Sequence, residues 1–434
     1  MDNDSASPET PQFGFNLYGY LTSNIGLGVA GRNTARMLLR HGTPVRLSDV
    51  GAGRGMQGNE RSLAEEIERS WGLAPYAMNL FHLNPDQMLY LLNPLSSRVT
   101  LRDRMQICMP FWELPKLPPS WLRPLAAMDL ILAPTKYIES TILAGCPGAR
   151  VVHFPQAVHI PAGVTADRAA FGLPEEAVIF VTSFDMRSDI ERKNPWAAIA
   201  AFRRAFPDRA DVRLIIKVNN AGYSSDFPAL VQRLNEAASD ERVVILDQPM
   251  RYMDVLSLYA SCDVLMSLHR AEGLGLSLLE AMALGRPVIA TGYSGNMDFT
   301  TPDNSCLVGY EMTPVVASTQ YAYSKAFAGD QEWAEPNIDE AAEHMRRLAD
   351  DAELRTSLGR RAAETADSIR DAYDRGLVVE DIRREFELWR HDPERRAASA
   401  RRMRDLERRF FPLFAKRVIL AALRRAKAAL SRKA

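Results

Sequence analysis

The chain has 434 residues, of which 47% are hydrophobic and 25% are charged, a balance typical of soluble globular proteins that excludes disordered, collagen-like and fibrous classes. No apolar run approaches the roughly 18 residues of a membrane-spanning helix, and the first residues lack the pattern of a secretory signal, so a cytoplasmic location is expected. The four cysteines form no CxxC pair, so neither a disulfide framework nor a structural zinc site is expected.

The charges are distributed unevenly along the chain. From Arg395 to the end there are 14 basic residues and two acidic ones, a net charge of +12, whereas the rest of the chain carries −13. An acidic body with a basic tail predicts that the tail alone binds a polyanionic surface.

Short apolar runs bounded by turn residues recur through most of the chain, with helical spacing between them. The eleven runs are 13–17, 45–47, 78–81, 107–109, 130–132, 151–154, 178–181, 214–216, 243–246, 264–266 and 288–290. Near-continuous Val, Ile and Leu strands alternating with helices indicate parallel sheets covered on both faces. Eleven strands are many for one open sheet, so two doubly wound α/β domains are predicted.

The predicted domain boundaries follow from these runs. Residues 1–160 form the first domain and residues 173–370 the second, and the Pro- and Gly-bearing segment 155–172 is the hinge. From about Glu335 the pattern becomes helical. Residues 371–394 are predicted to form a C-terminal helix that crosses back to the first domain, and residues 395–434 are predicted to form a helical basic tail.

A glycine-rich motif follows the first predicted strand. Gly26, Gly28 and Gly31 have GxGxxG spacing, and Asp49 lies further along the chain. This spacing is typical of dinucleotide sites and predicts an NAD-dependent dehydrogenase as an alternative function. The fingerprint needs its first glycine directly after the strand, whereas residues 18–22 intervene here, which argues against that alternative.

The densest functional signal lies in residues 267–291, where a predicted strand leads through a glycine loop into a helix. Gly273 and Gly275 lack a Cβ, so a ligand can approach the backbone, and the helix start attracts an anion. Glu272 and Glu280 flank this site and can accept hydrogen bonds from two polyhydroxyl groups of one ligand. The alternative is that Glu280 is a surface helix residue and Glu272 a loop charge.

A cationic loop follows the strand predicted at 178–181. Arg187, Arg192 and Lys193 lie in it, and arginine and lysine together provide a planar fork and a compact charge for a diphosphate. The alternative is a solvated loop whose charges pair internally.

Residues 267–291 resemble the E-x7-E motif of glycosyltransferase family 4, and the similarity continues through the glycine-rich turn at 292–299 and covers most of 13–310. These are retaining enzymes of the GT-B fold, with two facing Rossmann-like domains and an interdomain cleft. The resemblance implies transfer of a sugar from a nucleotide diphosphate sugar to a glycan or lipid-linked glycan, in envelope or exopolysaccharide synthesis. A nucleotide-sugar epimerase of related fold and a catalytically silent scaffold remain alternatives.

The resemblance also implies roles for particular residues. Arg187 and Lys193 resemble the pair that neutralises the leaving diphosphate, with Arg192 as the substitute for Arg187. Glu272 is expected to hold the sugar hydroxyls and Glu280 the ribose.

Further assignments concern the donor loops and one histidine. Gly273, Leu274 and Gly275 are assigned to donor binding, as are Gly26 and Gly28 in an N-terminal loop against the donor diphosphate. His82 follows a strand and resembles a cleft histidine that contacts the transferred sugar, and its alternative is a structural histidine. Residues 111–121 resemble an acceptor-side loop or else form a rigid aromatic-proline turn.

No metal or other cofactor is expected, because no DxD motif is present and side-chain cations replace the ion in this fold. The tail from residue 395 separates poorly into two faces, so electrostatic attraction to an anionic membrane surface is expected to dominate over insertion. A partner-binding helix is the alternative. Nucleic acid is not an expected partner, because no base-reading module accompanies the tail.

Overall fold

The computed structural model describes residues 11–51, 60–67, 74–89, 91, 101, 103–186, 188–219, 228–316 and 330–410. These residues form two six-stranded parallel sheets with helices packed on them, and one two-stranded antiparallel sheet. The expected architecture of two Rossmann-like domains is confirmed.

The first sheet has the strand order β2-β1-β3-β4-β5-β6, and every pair in it is parallel. Its strands are β1 (Gln12–Gly19), β2 (Val45–Asp49), β3 (Tyr76–His82), β4 (Met105–Cys108), β5 (Leu130–Ala133) and β6 (Val151–His153). The helices of this half are α1 (Gly26–Arg40), α2 (Pro85–Met88), α3 (Pro119–Ala126) and α4 (Lys136–Gly145).

The second sheet has the order β12-β11-β10-β7-β8-β9 and is also parallel. Its strands are β7 (Val178–Asp185), β8 (Val212–Asn219), β9 (Val243–Leu246), β10 (Val264–Ser267), β11 (Val288–Thr291) and β12 (Cys306–Val308). Its helices are α5 (Ile190–Lys193), α6 (Pro195–Ala205), α7 (Pro228–Ala237), α8 (Tyr252–Ser261) and α9 (Leu276–Ala283).

Each of the eleven apolar runs overlaps one of the strands β1 to β11, because runs of branched and aliphatic residues favour strands covered by helices. Three strands have no counterpart among the predictions. One is β12, which has only three residues, and the other two are the hairpin β13 (Tyr310–Pro314) and β14 (Glu332–Pro336).

The strand orders place a crevice at the carboxyl ends of both sheets. Strand β1 lies between β2 and β3, and β7 lies between β10 and β8. The strand order therefore reverses beside β1 in the first sheet and beside β7 in the second. Open parallel sheets bind ligands at such reversal points. The loops after β1 and β3 therefore face the loops after β7 and β10.

Three helices follow the hairpin: α10 (Ile338–Asp350), α11 (Ala352–Asp374) and α12 (Leu377–Arg390). Helix α11 packs on α9 of the second half and on α1 of the first. Beyond it, α12 buries its apolar face against the first sheet, with Val379, Ile382, Phe386 and Trp389 in the same core as Phe15. The chain thus returns from the second domain to the first.

A further helix, α13, spans residues 393–410. Met403 and Leu406 are buried in it. Ser399 Oγ donates to Asp129 Oδ2 at 2.7 Å, and Arg402 Nη2 donates to Asp129 Oδ1 at 2.7 Å. The predicted helical character of the basic tail is confirmed for residues 395–410, and the structure packs this part on the first domain. The rest of the predicted tail, 411–434, lies outside the described residues.

The two halves contact each other through loops and through the hairpin. Thr135 Oγ1 donates to the carbonyl of Gly273 at 3.0 Å, and the amide of Lys136 donates to Asp298 at 2.9 Å. Trp333 of β14 is buried among first-domain side chains. None of the helices in the described part of the chain is long and apolar enough to cross a membrane.

Candidate active site

A cavity of about 340 Å³ lies where the carboxyl ends of the two sheets face each other. It is lined by residues from loops after β1, β3, β4, β7, β9 and β10 and from the starts of α1, α8 and α9. The lining includes Ile25, Gly26, Asn84, Phe111, Glu113, Arg192, Lys193, Tyr252, Glu272, Gly273, Leu274, Gly275 and Glu280. The structure therefore brings both glutamates of the E-x7-E motif to one cavity with the predicted lysine.

The backbone around Glu272 is fixed by the turn after β11. The amide of Glu272 donates to Ser294 Oγ at 2.8 Å, and the amide of Gly295 donates to the carbonyl of Glu272 at 2.9 Å. Ser294 has φ 75° and ψ −145°, a region that costs a residue with a side chain about 1–3 kcal/mol. A Cβ at Gly295 would lie 2.1 Å from the carbonyl oxygen of Gly273, so only glycine permits this close approach.

The Glu272 carboxylate is buried but has two cationic neighbours. Lys193 Nζ donates to its Oε1, and Arg192 Nη1 lies 3.5 Å from its Oε2. Burial opposes ionisation, but the charges of Lys193 and Arg192 outweigh it and lower the pKa of Glu272 to about 2. Glu272 is therefore ionised at neutral pH and holds the lysine inside the cavity.

Arg192 connects the two halves of the molecule. It is 5% exposed. Its Nη1 donates to the carbonyl of Ala271 at 2.8 Å, and its Nη2 lies 3.5 Å from Oε1 of Glu113 in the first domain. Arg187, predicted as the partner of Lys193, lies outside the described residues. Arg192, the predicted substitute, is the arginine that the structure places beside Glu272.

Local structure explains where Arg192 and Lys193 point. Asp189 Oδ1 accepts hydrogen bonds from the amides of Glu191 and Arg192 and so caps α5. Asn194 then adopts a left-handed conformation with φ 49° and caps α6 through the amide of Ala197. The chain turns sharply after Lys193, which leaves both cations at the carboxyl end of β7.

Glu280 occupies a different environment on α9. It is 5% exposed, and its Oε1 accepts a hydrogen bond from Tyr252 Oη at 2.9 Å. Burial raises the pKa of Glu280 to about 7, against smaller opposing effects of Tyr252 and Arg32. Glu280 is a buried cavity residue, so the alternative of a surface helix residue is wrong.

The loop between the two glutamates leaves backbone groups accessible. Gly275 is the N-cap of α9 with φ 87° and forms no side-chain capping hydrogen bond. Gly273, Leu274 and Gly275 all line the cavity. The first amides of α9 are donors for an anion, and the helix dipole adds to the attraction.

The N-terminal glycines are placed differently from their prediction. Both Gly26 and Gly28 belong to the first turn of α1, and the loop after β1 comprises residues 20–25. Gly26 lines the cavity and Gly28 does not. A Cβ at Gly28 would lie 2.2 Å from the carbonyl oxygen of Ser23, so this glycine allows the loop to pack on the helix.

The loop also accounts for Asp49, the acidic residue of the dinucleotide alternative. Its Oδ1 accepts from the amide of Thr22 at 2.9 Å and its Oδ2 from the amide of Gly51 at 3.1 Å. Asp49 holds the loop in place, which removes the geometric basis for the dinucleotide fingerprint.

The role predicted for His82 as a cleft histidine stays a prediction. His82 is the last residue of β3, is fully buried and does not line the cavity. Its ring lies 5.5 Å from that of Phe111, and neither ring nitrogen has a hydrogen-bond partner in the described part of the chain. Burial lowers the pKa of His82 to about 4, so the ring is neutral and its environment suits a structural residue.

Two cavity residues, Tyr252 and Glu113, were not named as site residues from the sequence. Tyr252 opens α8 and has no sequence signal. Glu113 belongs to the 111–121 segment, which is a buried turn that also reaches the cavity. Burial raises the pKa of Glu113, against the opposing charge of Arg192. Among the residues described, no group of three or more His, Cys, Asp or Glu side chains could hold a metal ion.

Comparisons with known proteins agree with this geometry. The family described as Glycosyl transferases group 1 matches residues 176–312. A D-inositol 3-phosphate glycosyltransferase of Kineococcus radiotolerans is 25% identical over 241 residues, which cover 52% of this chain and 49% of the relative. The matched region thus spans about half the length of that curated relative.

Two solved structures share the fold over nearly their whole length. Sucrose-phosphate synthase from Thermosynechococcus elongatus has a TM-score of 0.62 at 14% identity and covers 87% of this chain and 100% of its own. Anabaena HepE in complex with UDP and glucose has a TM-score of 0.60 at 14% identity, with 85% and 99% covered. The expected GT-B fold is confirmed, and the region that matches the group 1 glycosyltransferases, residues 176–312, holds Lys193, Glu272 and Glu280.

Proposed function

We propose that this protein is a retaining glycosyltransferase of family 4 type that uses a nucleoside diphosphate sugar as donor. The observation that carries the proposal is the shared cavity, in which Glu272, Glu280, Lys193 and the start of α9 converge. A diphosphate at the first amides of α9 lies between the two carboxylates. Glu280 then accepts hydrogen bonds from the ribose, and Glu272 accepts them from the sugar.

Catalysis rests on electrostatic stabilisation and positioning. The bond between the anomeric carbon and the diphosphate oxygen breaks, and an acceptor oxygen bonds to the same face of that carbon. The proton of the acceptor hydroxyl passes to the leaving diphosphate. Lys193 and Arg192 stabilise the charge that develops on this leaving group, and Arg187 is proposed to join them.

The proposed acceptor is a glycan or a lipid-linked glycan in envelope or exopolysaccharide synthesis. The relative from Kineococcus is named for D-inositol 3-phosphate, a compound with several hydroxyl groups, and this name supports a hydroxyl-bearing acceptor. No metal is proposed, because the cations of the cavity supply the charge that an ion would otherwise provide. The alternative function, a nucleotide-sugar epimerase, is distinguished from a transferase because it releases its product when no acceptor is present.

Thermal-shift measurements with UDP, GDP, ADP and dTDP test donor binding, and UDP comes first because the HepE structure contains it. A ligand at 100 times its Kd stabilises a protein by about 2.7 kcal/mol, which gives a clear rise in melting temperature. Stabilisation by one diphosphate in the presence of EDTA supports the proposal. Stabilisation by NAD and by none of the diphosphates would contradict it.

We also propose that the C-terminal region binds anionic membranes peripherally. Helix α13 buries Met403 and Leu406 and exposes Arg401, Arg404 and Arg408 on its outer side. Basic residues near an anionic bilayer contribute about 1 kcal/mol each, and salt screens the attraction. The exposed arginines therefore place part of the charge of the predicted tail on the folded body.

Sedimentation with vesicles tests this localisation. The full chain is expected to sediment with phosphatidylserine-containing vesicles at low salt and to be released at high salt. Replacing Arg401, Arg404 and Arg408 by Glu should weaken binding, whereas the same change at Arg360, an exposed residue of α11, should not. Equal sedimentation with neutral vesicles would rule out an electrostatic anchor.

A further inference from the structure

A second cavity, which we call the α3–α13 pocket, lies on the edge of the first sheet opposite the cavity that holds Glu272. Its volume is about 620 Å³, within the roughly 300–1,000 Å³ of small-molecule sites. Asp129 directly precedes β5 and Arg150 directly precedes β6, and both residues line the pocket. The pocket is therefore at the amino ends of these strands, and no step of the proposed reaction involves it.

The walls of the pocket carry short apolar side chains. Ala126 of α3, Ala149 before β6 and Ala398 of α13 line it, together with the larger and partly exposed Leu122. A Cβ at Gly148, which also lines the pocket, would have no atom within 4 Å. The side chains thus leave open a space between α3 and α13. Such a space favours an apolar ligand, because burial removes apolar surface from water.

The charged residues that line the pocket are mostly arginines. They are four arginines and one aspartate: Arg123, Arg150, Arg395, Arg402 and Asp129. The carboxylate of Asp129 is already satisfied, because it accepts hydrogen bonds from Arg402, from Ser399 and from the amide of Gln106. This aspartate fixes α13 on the first domain and leaves the other three arginines with the positive charge of the rim.

Those three arginines have little negative charge to pair with. Arg150 and Arg395 share a single carboxylate, that of Glu385, at 3.0 and 3.2 Å. Arg123 is exposed and forms no ion pair with any residue that the structure describes. A phosphate complements this rim, because arginine can donate two parallel hydrogen bonds to its oxygens.

The end of the chain does not match the same rim. Residues 411–434 contain seven basic residues and no acidic residue, so the arginines of the pocket repel this segment. The charge of the rim and the apolar walls together select an anion that carries an apolar chain.

We propose that the α3–α13 pocket binds one molecule of a phosphate-bearing lipid. Its phosphate pairs with the arginines of the rim, and its acyl chain lies between α3 and α13 against Leu122 and Ala398. The inference goes beyond the proposed membrane contact, which is a surface attraction and needs no pocket. It also differs from binding of a lipid-linked acceptor, because the pocket and the cavity with Glu272 lie at opposite strand ends.

Calorimetry with dodecyl phosphate below its micelle-forming concentration tests the pocket. One molecule should bind per protein chain. Inorganic phosphate should bind at least roughly a hundredfold more weakly, because each buried methylene group adds about fourfold to the affinity. Dodecyltrimethylammonium has the same apolar chain and the opposite charge, and it should bind at least roughly tenfold more weakly, because it gains no charge-assisted hydrogen bond.

Two substitutions place the binding in this pocket. Arg123→Glu reverses one charge of the rim and should weaken dodecyl phosphate at least roughly tenfold. Ala126→Trp fills the space beside α3 and should also weaken it. Both residues are exposed, so neither change is expected to unfold the protein. Arg61→Glu makes the same charge reversal at an exposed first-domain arginine outside the pocket and should leave the affinity unchanged.

Several results would overturn the inference: no binding of dodecyl phosphate, equal affinity for inorganic phosphate, equal affinity for dodecyltrimethylammonium, or unaltered binding in Arg123→Glu. Replacing Arg401, Arg404 and Arg408 by Glu should preserve dodecyl phosphate binding, because these residues do not line the pocket. Loss of dodecyl phosphate binding in that variant would likewise count against the pocket. A wild type that binds dodecyl phosphate but does not sediment with anionic vesicles would contradict the membrane proposal alone.

Discussion

The two ends of the cavity contain the same side chain in opposite electrostatic states. Glu272 and Glu280 are 8% and 5% exposed, yet the pKa of Glu272 is lowered to about 2 and that of Glu280 is raised to about 7. Burial opposes ionisation of both. The difference comes from Lys193 and Arg192 at one end and the neutral hydroxyl of Tyr252 at the other. At Glu272 the neighbouring charges outweigh burial, whereas at Glu280 burial prevails.

The different environments of Glu272 and Glu280 suit two different roles in the cavity. At the Glu272 end, fixed charges on both domains are held in place before a ligand arrives, which is the arrangement that stabilises a departing anion. At the Glu280 end, a carboxyl near its titration point has one oxygen bonded to Tyr252. This end can adjust its charge and hydrogen bonds to a ribose diol.

The largest expected effect is a loss of turnover when the lysine beside Glu272 is removed. Lys193→Ala should lower turnover roughly 10²–10³-fold, because it removes one preorganised charge from the leaving group. Steady-state transfer from the nucleotide sugar identified by thermal shift measures the loss.

Lys136→Ala is the matched control, because Lys136 is an exposed lysine paired with Glu139 on α4. It should retain nearly full turnover. If a folded Lys193→Ala protein worked within a few-fold of wild type, the leaving group would be stabilised elsewhere and the two ends would not differ as described.

The second largest expected effect concerns Glu280 and the pH dependence of UDP binding. Because burial raises the pKa of Glu280 to about 7, this group is mostly protonated below pH 7 and ionised above it. The ionised form accepts stronger hydrogen bonds from the ribose, so UDP affinity should rise with pH through 7. One unit below that pKa the affinity should be lower by up to about tenfold. Calorimetry from about one pH unit below to one unit above that pKa measures the profile.

Glu280→Gln provides the baseline for that profile, because it keeps the side-chain size and removes the titration. The UDP affinity of Glu280→Gln should be weaker than that of the wild type. It should also be nearly independent of pH once the phosphate groups of UDP are fully ionised. A wild-type profile parallel to that of Glu280→Gln would show that Glu280 does not titrate on binding.

The smallest expected effect sharpens the role of Tyr252. Tyr252→Phe removes the hydrogen bond to Glu280 Oε1, which favours the ionised carboxylate, so the pKa of Glu280 should rise further. A net hydrogen bond of about 0.5–1.5 kcal/mol corresponds to a shift of up to about one pH unit. The midpoint of the UDP affinity profile should move upward by that amount, and a downward shift would contradict the assignment.

The fold could be predicted from the sequence because strands buried on both faces have a strong local signal. The run at 178–181 is apolar throughout, and it is the first half of β7. Strand β12 could not be found, because Cys306–Val308 is too short to stand out from a loop. The helical character of the basic tail was predicted, but its packing on Asp129 was not, because Ser399 and Arg402 contact that residue from a distant part of the sequence.

The site could be predicted only where its residues are close in sequence. Glu272 and Glu280 lie on one loop and helix, so their spacing already places them together. Glu113 and Arg192 meet across the domain interface, and no local pattern records such a pair. The position of His82 depends on how far β3 extends, since a strand that continues through residue 82 directs the ring into the core.

The protonation states of Glu272 and Glu280 could not be predicted from the sequence for the same reason. Tyr252 reaches Glu280 from another helix, and Lys193 reaches Glu272 from the loop after another strand. Each pKa depends on contacts between segments that the tertiary fold brings together.

The most direct test of the central claim compares UDP affinity in Glu272→Ala and Glu280→Ala by calorimetry at pH 8. If Glu280 holds the ribose and Glu272 the sugar, Glu280→Ala should weaken UDP binding by roughly 10–100-fold, since a hydrogen bond to a charged group contributes about 1.5–3 kcal/mol. Glu272→Ala should leave UDP affinity nearly unchanged while impairing transfer. Weakened UDP binding in Glu272→Ala together with unaltered binding in Glu280→Ala would contradict the assignment of the two ends.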